Sequence, residues 1–157
     1  MAKPRCWLVG LTGLLALGAC APLGYVKDPT PWVEAADWTQ AETVRLEMTE
    51  YRFEPQVLSF REGKPYILEI VNQGREKHYF AAPDFLRAIA ARKAEVPEVV
   101  EAKAWRFTSF EVYPGQTLRL FFVAVTPGTY PLTCTIPGHA DRGMRAAVKI
   151  EKAPPKR

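Results

Sequence analysis

The chain has 157 residues, a length that fits one domain. Hydrophobic residues make up 48% of it, ample for a packed core. The formal charge of +4 is mild and is gathered in no Lys/Arg stripe, which argues against nucleic acid as a partner.

Residues 1–20 read as a signal peptide. Lys3 and Arg5 form a positive start, and Trp7 to Ala19 is an apolar run too short for a comfortable membrane span. Leu17-Gly18-Ala19-Cys20 resembles a bacterial lipoprotein cleavage box, so Cys20 is expected to carry lipid and to anchor the protein in a membrane. An uncleaved signal anchor and ordinary signal cleavage are the competing readings. Lipoprotein processing places the mature protein on the periplasmic side of the cell envelope, with Ala21 compatible with the outer membrane. It also removes Lys3 and Arg5 and lowers the charge from +4 to +2.

Residues 21–42 read as a tether, broken by Pro22, Gly24, Pro29 and Pro31. Trp32 and Trp38 are unusual for a linker and are expected to pack back on the domain, the alternative being a place at the bilayer surface. Residues 43–151 form that domain. Val44, Leu46 and Met48 alternate with polar residues, the pattern of a half-buried strand. Within Phe53 to Phe60 a second strand is expected after a bend at Pro55. Tyr66 to Val71 reads as a central strand, and His78 opens the short run His-Tyr-Phe80.

Residues 83–95 are expected to be helical. Pro83 and Asp84 suit a first turn, Arg92 and Lys93 a last one, and Phe85, Leu86, Ile89 and Ala90 share a face. Residues 96–104 are then a loop. Strands resume at Trp105–Val112, Thr117–Val125 and Tyr130–Cys134, and Met144–Ile150 closes the domain before a polar tail at 152–157. Short strands at regular spacing define an all-β fold, a sandwich or barrel with a short helical insertion.

Chemistry concentrates in Cys134-Thr-Ile-Pro-Gly-His139-Ala-Asp-Arg-Gly-Met144. Thiolate, imidazole and thioether in one loop suit copper, which must stay bound in two oxidation states. A His₂Cys set with a weak axial Met is a type 1 centre. The loop holds one histidine, and the chain has only one other, His78. Pro137-Gly138 suits a tight turn that folds His139 back toward Cys134. Cys6 leaves with the signal and Cys20 is lipidated, so Cys134 has no cysteine partner within the mature chain. The plainer reading is an isolated cysteine, an unrelated histidine and a core methionine, and it accounts for each residue singly but not for their order and spacing together.

His78 with Cys134-x4-His139-x4-Met144 resembles the cupredoxins, the small blue copper proteins such as azurin, plastocyanin and auracyanin. The similarity covers roughly residues 43–151. It implies a Greek-key β-sandwich holding one mononuclear type 1 copper on His78, Cys134, His139 and Met144. It also implies single-electron transfer with protein redox partners such as a cytochrome or oxidase, no enzymatic turnover, and a monomeric domain. His139 would be the electron port, with Pro137, Gly138 and Ala140 around it. One departure is Tyr79, at a position where many cupredoxins carry an Asn that braces the cysteine loop. A copper chaperone or copper-tolerance protein is the alternative on the same residues. A structural zinc site is disfavoured by Met144. A cysteine hydrolase lacks an orienting third group. Two histidines are too few for a multicopper oxidase or nitrite reductase.

Overall fold

The structure is a computed structural model that describes residues 26–104 and 106–155. The signal segment, Cys20 and Trp105 lie outside the described residues. Among the described residues, eleven strands and two short α-helices follow in order, with one 3-10 turn (Trp38–Gln40) ahead of the first strand: α1 (Thr30–Ala35), β1 (Glu42–Thr49), β2 (Arg52–Glu54), β3 (Val57–Arg61), β4 (Pro65–Asn72), β5 (His78–Phe80), α2 (Pro83–Arg87), β6 (Ile89–Val96), β7 (Val100–Ala102), β8 (Phe110–Val112), β9 (Thr117–Ala124), β10 (Gly128–Thr133) and β11 (Arg145–Glu151). Among the described residues no helix is long and apolar enough to cross a membrane.

The strands make a six-stranded sheet, β2-β1-β4-β9-β6-β7, facing a three-stranded sheet, β10-β11-β3, with the pair β5-β8 beside them. Period-two alternation builds the core between them. Leu46, Ile70 and Leu118 are in register across β1, β4 and β9. All three are buried, as are Leu58, Phe60, Val148 and Ile150 of the smaller sheet. Tyr66 to Val71 is central, as its sequence implies, because β4 is flanked by β1 and β9. Phe85 of α2 lies among Phe60, Phe80, Phe122 and Tyr130, with ring centroids 5.5–6.3 Å away.

The helix expected over residues 83–95 is corrected. It ends at Arg87, and Ile89–Val96 is a strand paired with β9. The register shifts between Ala91 and Lys93, marking a bulge at Arg92. Inward positions therefore fall at Ile89, Ala91 and Ala94, and the three-residue step imitates helical spacing. Good helix formers yield here to tertiary context, since this strand buries Ile89, Ala90, Ala91 and Ala94 against the core. The loop expected at 96–104 is also corrected. β7 pairs back on β6 around a turn with Glu98 at φ 62°. The strand expected from Trp105 is shorter and begins at Phe110.

Before the first strand, Pro31 sits in the first turn of α1, where its missing N–H costs nothing. The indole of Trp38 donates to the Val33 carbonyl at 2.9 Å and lies 4.7 Å from the Arg92 guanidinium. Trp38 thus packs back on the sheet, whereas Trp32 remains 39% exposed.

Candidate metal centre

Two segments, β5 and the connection from β10 to β11, deliver the candidate donors. His78 opens β5, Cys134 follows β10, and His139 lies in the turns that connect Cys134 to β11. The 134–144 loop is closed by its own backbone. Cys134 N–H donates to the Met144 carbonyl at 3.2 Å, and Met144 N–H donates to the His139 carbonyl at 3.1 Å. Gly138 (φ +82°) and Gly143 (φ +107°) make these turns in the left-handed region that favours glycine. Ala81 pairs with Thr133 through two backbone bonds of 3.1 Å, which draws the β5 chain alongside the cysteine.

The result is a buried cluster. Donor atoms of His78, Cys134 and His139 all lie within 4.8 Å of one another. Relative exposures are 0% for His78, 1% for Cys134 and 4% for His139. Cys134 Sγ is 3.6 Å from His139 Nδ1. That separation is about what two donors 2.0–2.3 Å from one ion would show in trigonal geometry. Met144 is fully buried, and its backbone is bonded to both Cys134 and His139.

Three features fit a metal here. Both ring nitrogens of His78 are buried without a hydrogen-bond partner, a costly state for an imidazole that ligation through one nitrogen would relieve. Burial, followed by the charge of His139, pushes the His78 imidazole below its usual range, so its neutral, ligating form is favoured. Cys134 has no cysteine to pair with among the described residues, which leaves its sulfur available. The position occupied by Tyr79 still braces that sulfur. The Tyr79 backbone N–H points at Cys134 Sγ from 3.4 Å, so no side-chain amide is required for this contact.

Several contributors escaped the sequence reading. Asn72, at the end of β4, is fully buried. Its amide donates to the carbonyls of Glu76 and Val112, both at 2.8 Å, and its side-chain oxygen accepts from Gly74 N–H at 2.9 Å. It thereby sets the loop that leads into His78. Glu50 lies 3.7 Å from His78 Nε2, and Glu76 lies 3.2 Å from His139 Nε2. The Tyr51 ring meets His139 edge-on at 4.9 Å, and the Arg142 guanidinium lies over Tyr51. Acidic and aromatic residues at such sequence distances carry no recognisable pattern, so folding was needed to reveal them.

Fold and site define a copper-binding, cupredoxin-like protein. The multicopper oxidase family profile matches residues 31–154, and the chain belongs to that family. It is 27% identical over 125 residues to the copper-resistant cuproprotein CopI of Rubrivivax gelatinosus, covering 77% of this chain and 74% of that protein. Among solved structures, the multi-copper oxidase of Pediococcus acidilactici matches with a TM-score of 0.57 at 17% identity, over 78% of this chain and 29% of its own. The multi-copper oxidase of Pseudomonas thermotolerans matches with a TM-score of 0.56 at 19% identity, over 74% of this chain and 31% of its own. The chain thus spans about three tenths of the length of these oxidases, and these two likenesses concern the fold.

Proposed function

We propose that the protein is a single-electron carrier that holds one type 1 copper on His78, Cys134, His139 and Met144. The observation that carries this reading is the convergence of two imidazoles and a thiol in a buried site built from strand β5 and the distant 134–144 loop. Bound copper supplies a one-electron couple. Cys134 contributes the thiolate, losing its proton on ligation. His78 and His139 contribute neutral imidazole nitrogens, and Met144 a weak axial sulfur. The Tyr79 N–H draws charge from the thiolate, a contact of the kind that tunes potential.

Burial supports a carrier over a donor of copper. A site whose proposed ligands are at most 4% exposed releases an ion slowly, and ligands tied to two sheets change little between oxidation states. Two histidines supply one such centre and none of the further sites an oxidase requires, which supports a non-enzymatic role. The second reading is copper tolerance without electron transfer, favoured by the similarity to CopI. Copper-loaded protein is expected to show rapid electron self-exchange and slow loss of copper to an apo acceptor. Ready copper transfer with slow self-exchange would establish the tolerance role instead.

The reading extends to location and partners. Leu17 to Cys20 supports a lipid anchor on Cys20 and a periplasmic site of action, with protein redox partners such as a cytochrome or oxidase. The mass of the mature N-terminus tests the anchor; a chain starting elsewhere, or an unmodified Cys20, refutes it.

Met144 offers a separate test of the ligand set. Met144→Gln replaces soft sulfur by a harder oxygen that favours Cu(II), so the reduction potential falls. Met144→Leu removes the donor and keeps an apolar wall, so the potential rises. Copper stays bound in both. Identical potentials with an unchanged EPR spectrum would assign Met144 to the core alone.

A further inference from the structure

Both histidines of the centre have a carboxylate near Nε2, at different distances. Glu50 Oε1 is 3.7 Å from His78 Nε2, too far for a hydrogen bond. Its carboxylate is engaged elsewhere, accepting from the backbone N–H groups of Arg75 and Glu76, the latter at 2.9 Å. Those two bonds hold the Glu50 carboxyl below the usual carboxylate range, so it is charged at neutral pH. Gly74 gives this arrangement room. A Cβ there would stand 2.6 Å from Glu50 Oε1 and 3.0 Å from His78 Nε2.

The consequence is a loop whose backbone is tied at several points before it reaches His78. Glu50 takes the N–H of Arg75 and Glu76, and Asn72 takes the N–H of Gly74 and donates to the carbonyl of Glu76. With both its N–H and its carbonyl engaged, Glu76 cannot swing freely. Its side chain reaches His139 Nε2 at 3.2 Å, and His139 is only 4% exposed although Glu76 itself faces solvent.

A carboxylate can only accept. At 3.2 Å from Nε2, the Glu76 carboxylate favours the form of His139 that carries its hydrogen on Nε2, and in a neutral ring that leaves the Nδ1 lone pair free. Nδ1 is the atom 3.6 Å from Cys134 Sγ. We propose that Glu76 is a positioning residue of the metal centre, holding His139 in the Nε2–H tautomer and turning Nδ1 to the metal. The proposal rests on the reading of His139 as a copper ligand. A charged acceptor on the far nitrogen makes the imidazole a stronger donor, which stabilises Cu(II) more than Cu(I). It also means that the ring edge of His139 meets solvent through an acidic cover and the Tyr51 ring.

The test uses the full chain with Glu76→Gln, Glu76→Leu and, as a charge control, Asp141→Asn. Asp141 lies in the 134–144 loop with His139, its side chain is 83% exposed, and it pairs with Arg145. Nitrogen NMR of the apo protein is expected to show His139 as the Nε2–H tautomer in wild type and in Gln, whose amide oxygen still accepts. The Leu variant is expected to show a tautomer mixture. Copper(II) affinity, by competition titration, should fall roughly 10–100-fold in Leu and less in Gln. The potential should rise from wild type to Gln to Leu, and Asp141→Asn should stay near wild type. Equal tautomers, affinities and potentials across the Glu76 variants would overturn the proposal, as would an Asp141→Asn shift as large as that of Gln. His139→Ala separates the two layers. Unchanged nitrogen couplings in its EPR spectrum would refute His139 as a ligand and the proposal with it. Lost coupling beside inert Glu76 variants would refute the positioning role alone.

Discussion

Cys134→Ser is expected to give a folded protein without intense visible colour. The thiolate, not a thiol or an alcohol, is the ligand that makes a strongly covalent bond to copper. A serine hydroxyl stays protonated at neutral pH and supports no sulfur-to-metal charge transfer, so the band should vanish rather than weaken. Folding should survive. Cys134 is 1% exposed and contributes little volume beyond its sulfur. The Tyr79 N–H that points at Sγ can be met by a serine oxygen, so the loss is about 1–3 kcal/mol at most. Visible absorption of copper-reconstituted protein and thermal unfolding of the apo form decide the matter together. A mutant that keeps the band would remove Cys134 from the centre.

Phe85→Ala should cost the most stability of any single truncation considered. The ring is fully buried and lies among aromatic groups from both sheets and from β5: Phe60 at 5.7 Å, Phe122 at 5.5 Å, Phe80 at 6.3 Å and Tyr130 at 6.3 Å between centroids. Emptying this position loses the transfer free energy of the ring and leaves a cavity that four neighbours can fill only in part. The expected loss is about 3–5 kcal/mol. Urea unfolding of the apo protein should show a lower midpoint with an unchanged slope. A loss under about 1 kcal/mol would mean that the two layers close over the gap, contrary to close packing. Because Phe80 lies two residues after His78 on β5, a large loss should also weaken copper binding.

Much of the fold was legible because period-two alternation is a local signal. Val44-Leu46-Met48, Leu118-Leu120-Phe122 and Ala146-Val148-Ile150 each announce a strand and its inward face without reference to any other segment. The candidate site was legible for a related reason. Cys134, His139 and Met144 share one loop whose Pro137-Gly138 and Gly143 dictate turns, and the scarcity of histidine left His78 as the only partner.

What stayed hidden depends on contacts between segments far apart in the chain. Residues 88–95 read as helix because a bulge at Arg92 shifts the inward positions by one, and only pairing with β9 creates that bulge. Glu50, Asn72 and Glu76 acquire their roles from a loop tied across the β1–β2 turn and the strand of Val112. The replacement of a bracing Asn by Tyr79 looked like a deficit in sequence, yet the backbone N–H of that residue reaches the sulfur whatever its side chain. The sequence by itself thus determined the donor types, their order and the all-β class, since these follow from residue chemistry and local periodicity. The tertiary structure alone decided strand pairing, the burial that leaves His78 without a hydrogen-bond partner, and the carboxylate behind His139, because each requires two distant segments to meet.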